Sequence, residues 1–161
     1  MDKDSALDYY IEQHRQLHLR SQKHFRGRSL PQHIPSIDRL MGENNCHTIL
    51  DYGCGKAECW PEYWQVTGYD PAHEPYARKP EGLYDMVICT DVMEHIPESA
   101  TDHVLSEIFG YARHWVYLCI CTRTSHRTLP DGGSVHVNVQ SEEWWNQRLA
   151  QYSRYTVIYT Q

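Results

Sequence analysis

No apolar stretch in the sequence approaches the ~20 residues of a membrane span, and the N-terminus, Met1-Asp2-Lys3-Asp4, is charged rather than leader-like. A membrane role is thereby set aside, and a soluble, cytoplasmic protein is expected. Basic charge is in short supply: 15 Lys and Arg face 21 Asp and Glu, for a net charge of −6. A long phosphate backbone would meet overall repulsion, so a nucleic-acid substrate is disfavoured and a small-molecule partner preferred. The six cysteines (46, 54, 59, 89, 119 and 121) contain no CxxC and no His/Cys zinc spacing. Cys89, Cys119 and Cys121 lie in apolar, strand-like runs where small buried thiols are common, which points to reduced structural cysteines and a reducing compartment.

What is present suits one domain with one core: 161 residues, 40% of them hydrophobic. A single domain over 1–161 is expected, with a helical preface at about 1–44. The most informative segment follows the apolar run from His47 to Leu50, where Asp51-Tyr52-Gly53-Cys54-Gly55-Lys56 ends in two glycines spaced by one residue. It reads as a buried parallel strand turning tightly into a helix, leaving bare backbone beside a ligand. A dinucleotide fingerprint needs a third glycine where Glu58 stands, a carboxylate where a pyrophosphate would sit. A P-loop needs glycine at Leu50 and Ser or Thr at Ala57. NAD, ATP and GTP are therefore disfavoured, and a ligand with a nucleoside but no phosphate remains. Val66-Thr67-Gly68-Tyr69-Asp70 supports it, because an acid closing the next strand can accept both ribose hydroxyls.

With Tyr84-Asp85-Met86-Val87-Ile88-Cys89-Thr90-Asp91-Val92-Met93-Glu94-His95-Ile96 added, the chain resembles the class I S-adenosylmethionine-dependent methyltransferases over roughly residues 25–150. More narrowly it is similar to a bacterial and phage branch of that family, through Gly27-x-Ser29-Leu30, Leu129-Pro130-Asp131-Gly132 and Glu143-Trp144-Trp145. The resemblance implies an α/β, Rossmann-like, doubly wound and mostly parallel sheet, with S-adenosylmethionine as cofactor. The cofactor-binding set it implies is Asp51, Gly53, Cys54, Gly55, Asp70 and Pro71, with Thr90, Asp91 and Val92 passing under the methionine part and the sulfonium.

Ahead of the sheet, Leu7, Tyr10, Ile11, His14, Leu17 and His18 recur at helical spacing and predict an amphipathic helix over 5–25. Ser29 before Pro31 predicts the start of a second, with Ile34, Ile37, Leu40 and Met41 on one face and Gly42 near its end. The link Arg26-Gly27-Arg28 is either a solvated turn or the source of an arginine that holds the methionine carboxylate of the cofactor. Strands are expected at about 48–52, 66–70, 84–90, 114–121 and 155–160. Only the thirteen residues 71–83, with Pro71, Pro75 and Pro80, separate the second from the third, too few for a helix-strand-helix segment. The family's usual third strand is thus expected to be missing, as is its terminal hairpin, giving a truncated sheet with 66–70 at one edge. Adenine would then lean on Pro71, Ala72 or a side chain near Tyr84.

Methyl transfer is an in-line displacement that needs alignment and exclusion of water, not a covalent nucleophile. A hydroxyl acceptor must also lose a proton, for which histidine is well tuned, and His95 and His136 are the candidates. His136 lies in 134–140, where valines alternate with polar residues and put His136, Asn138 and Gln140 on one face. That face is either an acceptor-binding wall beside the loop 122–133, with Arg123, His126 and Arg127, or a solvent-facing hairpin. For His95 a capping or packing role weighs equally with catalysis. Asp91, Glu94 and His95 are competent ligands for a divalent ion, but such spacing is common by chance and no metal is expected. The eleven histidines read mostly as ordinary surface or core residues. Ser141 should cap a helix carrying Trp144 and Trp145, one in the core and one over the sheet edge. Two functions follow: methyl transfer to a small molecule, or a degenerate cofactor-binding module serving as a partner subunit, which Ala57 in the glycine turn and the lost strands would favour.

Overall fold

Five strands hydrogen-bond side by side in the order β2-β1-β3-β4-β5, all parallel, where β1 is Thr48–Tyr52, β2 Gln65–Tyr69, β3 Tyr84–Thr90, β4 Ala112–Cys121 and β5 Tyr155–Thr160. The computed structural model describes residues 3–21 and 23–161. Met1 and Asp2, from the charged N-terminus noted above, and Gln22, inside the expected first helix, lie outside the described residues. Each strand falls within two residues of its expected span. β1, β3 and β4 are legible as near-continuous apolar runs because both faces of the sheet are covered there. Leu50, Val87, Cys89 and Leu118 pack under the helices α3 (Thr101–Tyr111) and α4 (Glu142–Leu149). On the other face Ile49, Met86, Ile88 and Tyr117 pack with Ile37 and Leu40 of α2 (Ile34–Glu43). Burying such a side chain fully contributes ~1.5–3 kcal/mol, so these two layers supply the main driving force.

From β1 the chain steps outward to β2 and then crosses back to β3 on the far side of β1. Strand order reverses there, so the crevice beyond the carboxyl ends of β1 and β3 is where a ligand fits such a sheet. Between β2 and β3 the chain makes one short 3-10 turn, Glu74–Tyr76, and no strand. β2 is accordingly an edge strand, as the thirteen-residue argument requires.

Four local expectations are corrected. The glycine turn does not open a helix: residues 53–64 run through turns into β2. Gly53, Gly55 and Ala57 have φ of 80°, 56° and 54°, and alternating left-handed residues cannot propagate a right-handed helix. The first helix, α1 (Lys3–Arg20), stops five residues short of the expected end, and Phe25 at φ 55° confirms a break. Of its expected stripe, His14 and His18 are buried and Leu7, Tyr10, Ile11 and Leu17 half-buried. The second expected helix is split into a 3-10 turn, Leu30–Gln32, and α2, each with a proline in its first two positions, and the Ser29 side chain caps neither.

The fourth correction matters most for function. Residues 134–140 form no strand beyond an isolated bridge from Ser134 to Thr128. The N–H groups of Val137 and Asn138 both donate to the Glu94 carbonyl, at 2.9 and 3.1 Å, so the segment is bent onto that turn. Asn138 is buried and donates to Thr101 Oγ1 at 2.9 Å, which leaves no shared polar face for His136, Asn138 and Gln140. α4 is as expected: Ser141 caps it through the Trp144 N–H, Trp145 is in the core, and Trp144 is covered by the Arg148 guanidinium, 3.3 Å from its ring centre.

Candidate active site

A cavity of about 1160 Å³ opens at the carboxyl ends of the strands. It exceeds the ~300–1,000 Å³ of an ordinary small-molecule pocket, leaving room for two ligands side by side. Asp51, Gly53, Cys54, Gly55, Asp70, Pro71, Thr90, Asp91, Val92, His95 and His136 all line it, although they come from four separate segments. Ala72 lines it as well. Tyr84 does not: it begins β3 at the opposite end of the sheet.

In the glycine turn every N–H is already spoken for. Those of Gly53 and Cys54 donate to the Tyr69 carbonyl at 2.7 and 3.1 Å, that of Gly55 to Asp70 Oδ2 at 2.9 Å, that of Lys56 to the Phe25 carbonyl at 2.7 Å and that of Ala57 to the Cys54 carbonyl at 3.1 Å. A phosphate would find no donor here, in agreement with the residue types that argued against NAD and ATP. The glycines are also needed for approach: a Cβ on Gly53 would lie 2.3 Å from Val92 Cγ2, and one on Gly55 2.3 Å from the Phe25 oxygen. Lys56 Nζ donates to the carbonyls of Ser21 and His24 at 2.6 and 2.9 Å. The segment after α1 is thereby tied across the turn. Arg26 pairs with Glu58, so of the two linker arginines only exposed Arg28 is free of that ion pair beside the cavity.

Two carboxylates sit behind the turn. Asp70 follows β2, and its oxygens accept one backbone N–H each, from Gly55 and from Ala72 at 2.8 Å. Burial pushes its pKa up while those bonds pull it down, and each oxygen keeps a lone pair for a ligand. Asp51 accepts Trp60 Nε1–H at 2.7 Å, yet burial holds its pKa at about 7. Asp91, at φ 55°, is anchored by its N–H on the Cys119 carbonyl at 2.9 Å.

The far wall of the cavity is a corner of histidines around Glu94. His95 Nδ1 lies 2.7 Å from the Val135 carbonyl and 3.3 Å from His14 Nε2, while His136 Nδ1 lies 2.8 Å from the Arg123 carbonyl. The carbonyls assign Nδ1–H tautomers to both rings. Burial, together with His14 and His136, lowers the His95 pKa to about 3, so its ring is neutral at physiological pH. Glu94 has 0% exposure, and its carboxylate oxygens meet only the backbone N–H groups of Glu94 and Cys121, in geometry too poor for a full hydrogen bond. Burial and the neighbouring Asp91 raise its pKa to about 8.

A family profile described as a methyltransferase domain matches residues 13–161, nearly the whole chain. The chain belongs to that methyltransferase family. No curated protein and no solved structure matches it.

Two residues of this methyltransferase's site escaped the sequence reading. His14 and His18 belong to the amphipathic stripe of α1 and face the cavity, while Leu7 of the same stripe also packs against the core. Arg15 Nη2 donates to the Pro71 carbonyl at 3.1 Å and His18 Nε2 lies 3.9 Å from Asp70 Oδ2, so α1 is laid across the end of β2. Five of the methyltransferase's eleven histidines are therefore gathered here: His18 stacks on His73, and the rings of His14 and His136 both meet that of His95 edge-on with centroids 5.0 Å away. The one sequence signal for this was the i, i+4 spacing of His14 and His18 on a helix otherwise lined by apolar residues.

Proposed function

We propose that this methyltransferase takes S-adenosylmethionine as donor and a small-molecule hydroxyl as acceptor. The observation that supports it best is the meeting of Gly53, Asp70 and Asp91, from three strand ends, on one cavity whose glycine turn has no N–H left for phosphate. A nucleoside-bearing, phosphate-free cation fits that donor set: acids for ribose hydroxyls and for positive sulfur, bare backbone for close approach. Bound there, the cofactor supplies a methyl group already activated by a sulfonium. Asp70 accepts the ribose hydroxyls; Thr90, Asp91 and Val92 line the methionine end; Pro71 and Ala72 flank the base; and the segment tied down by Lys56 excludes water. The acceptor oxygen sheds its proton at the corner formed by His95 and His136.

Calorimetry with S-adenosylmethionine tests the reading. Micromolar or tighter binding is expected in wild type, and Asp70→Asn, which removes the charge from the ribose bonds, should weaken it at least tenfold, since a charge-assisted bond contributes ~1.5–3 kcal/mol. Equal affinity in a variant with an unchanged melting curve would remove Asp70 from the site and the donor assignment with it.

A further inference from the structure

Among the described residues, Glu94 is the carboxylate of the cavity wall that is fully buried with no side chain and no well-formed hydrogen bond meeting either oxygen; only the backbone N–H groups of Glu94 and Cys121 lie near it. A carboxylate is not buried bare without something to meet it. Beside it, His95 and His136 give Nδ1–H to the backbone carbonyls of Val135 and Arg123, leaving a lone pair on each Nε2. That orientation, one ring nitrogen fixed on a carbonyl and the other left as a base, is how imidazoles are held for metal ligation. One donor atom from each of Glu94, His95 and His136 lies within 4.8 Å of the others. Ligands at ~2.0–2.2 Å from an ion stand ~3–4.4 Å apart, so the side chains need draw in only slightly. We propose that Glu94, His95 and His136 hold a divalent first-row transition-metal ion, with its remaining positions turned to the cavity for an oxygen of the acceptor.

Two imidazoles and one carboxylate favour the range from Mn²⁺ to Zn²⁺ over Mg²⁺ or Ca²⁺, which prefer an all-oxygen shell. The sequence pattern Asp91, Glu94, His95 hinted at such an ion; the fold substitutes His136, forty-one residues on from His95, for Asp91 as third ligand. The role of the ion in catalysis rests on the methyl-transfer reading above. A hydroxyl on the ion loses its proton to water more readily, its oxygen then bonds to the methyl carbon as the carbon–sulfur bond breaks, and the electron pair stays on sulfur as a neutral thioether. The acceptor class implied is an alcohol or phenol rather than an amine.

Chelator-treated protein titrated with Co²⁺, read by its visible absorption and by Zn²⁺ displacement, tests the site without cofactor or acceptor. One saturable site is expected, weakened at least tenfold by Glu94→Gln and by His136→Ala, and unchanged by His47→Ala, an exposed imidazole at the opposite end of the sheet. If Glu94→Gln does not fold, half-buried His136 carries the same test alone. Wild-type affinity no better than that of His136→Ala, or an equal loss in His47→Ala, overturns the site. Cofactor binding is measured in parallel: donor bound with no Co²⁺ site refutes the ion only, whereas a Co²⁺ site in protein that ignores the donor refutes the methyl-transfer reading and keeps the ion.

Discussion

Ala57 occupies a conformation that costs an alanine ~1–2 kcal/mol, at φ 54°, two and four residues after glycines that adopt the same region freely. Replacing it by glycine removes that strain but loosens the unfolded chain by ~0.4–1 kcal/mol, so Ala57→Gly should stabilise by about 0.5–1 kcal/mol. Urea unfolding checks it; a destabilised variant would mean that the alanine methyl has packing worth more than the strain. Gly53 is the opposite case. Its φ of 80° and the 2.3 Å approach of Val92 to a would-be Cβ predict that Gly53→Ala loses ~2 kcal/mol or more and cofactor affinity with it. Val92→Ala in the same chain should restore part of the stability. Single residues of this kind were legible beforehand because acids and glycines at strand ends have few other uses. His14 and His18 were not, since spacing shows that a face is buried without showing what covers it.

At the scale of elements, Asp85 fastens the start of the sheet. Its Oδ2 accepts the N–H groups of His47 and Thr48 at 2.9 and 3.0 Å, Arg113 Nη1 donates to Oδ1 at 3.0 Å, and its own N–H donates to Thr48 Oγ1 at 3.0 Å. These bonds, led by that of His47, pull its pKa down to about 2. A folded pKa below the unfolded value of ~3.9 means stability that is fully present above that value and lost as pH falls through about 2. Asp85→Asn should therefore be less stable than wild type at pH 6, by ~1–3 kcal/mol for the lost charged acceptor, with the gap closing towards pH 2. Denaturant midpoints across that range decide it, and a gap independent of pH would mean that the carboxylate's charge is irrelevant. Elements differed in how readily they could be anticipated. Strands buried on both faces announce themselves as apolar runs, whereas 134–140 alternates like a strand yet spends the N–H groups of Val137 and Asn138 on Glu94, a partner some forty residues away that no local pattern encodes. The helix expected after β1 failed for a local reason that was visible only in part, because Ala57 hides its positive φ behind an ordinary residue type.

For the whole molecule, crossover length carried more information than residue identity. Thirteen residues between 70 and 84 forbade a strand, which put β2 at the edge and the strand reversal beside β1, and the cavity follows from that reversal. The topology, and the cavity wall formed by acids and glycines at strand ends, were thus within reach of the sequence. Of the opposite wall, His95, His136 and the loop residues Arg123, His126 and Arg127 were within reach too, but the contribution of α1 was not, because α1 and the irregular stretch 122–140 have no periodicity in common.

Sulfur makes the same architecture readable in time. All six cysteines are free, and five of them, Cys59 excepted, are buried. A disulfide reagent offered to the native protein should therefore modify Cys59 promptly and the strand thiols Cys89 and Cys119 only at the rate of global unfolding. Cys54 belongs to neither group. It sits in the glycine turn on the cavity wall, its thiol pKa pushed far up by burial and by Asp51 and Asp70, two residues from the Lys56 that ties the segment after α1 across that turn. Its labelling rate should report release of that segment alone: faster in Lys56→Ala, slower with the donor bound, and intermediate between Cys59 and the strand thiols in the free protein. Mass spectrometry of peptides during labelling would resolve the three rates, and Cys54 reacting in step with the strand thiols would show that the roof and the sheet open as one.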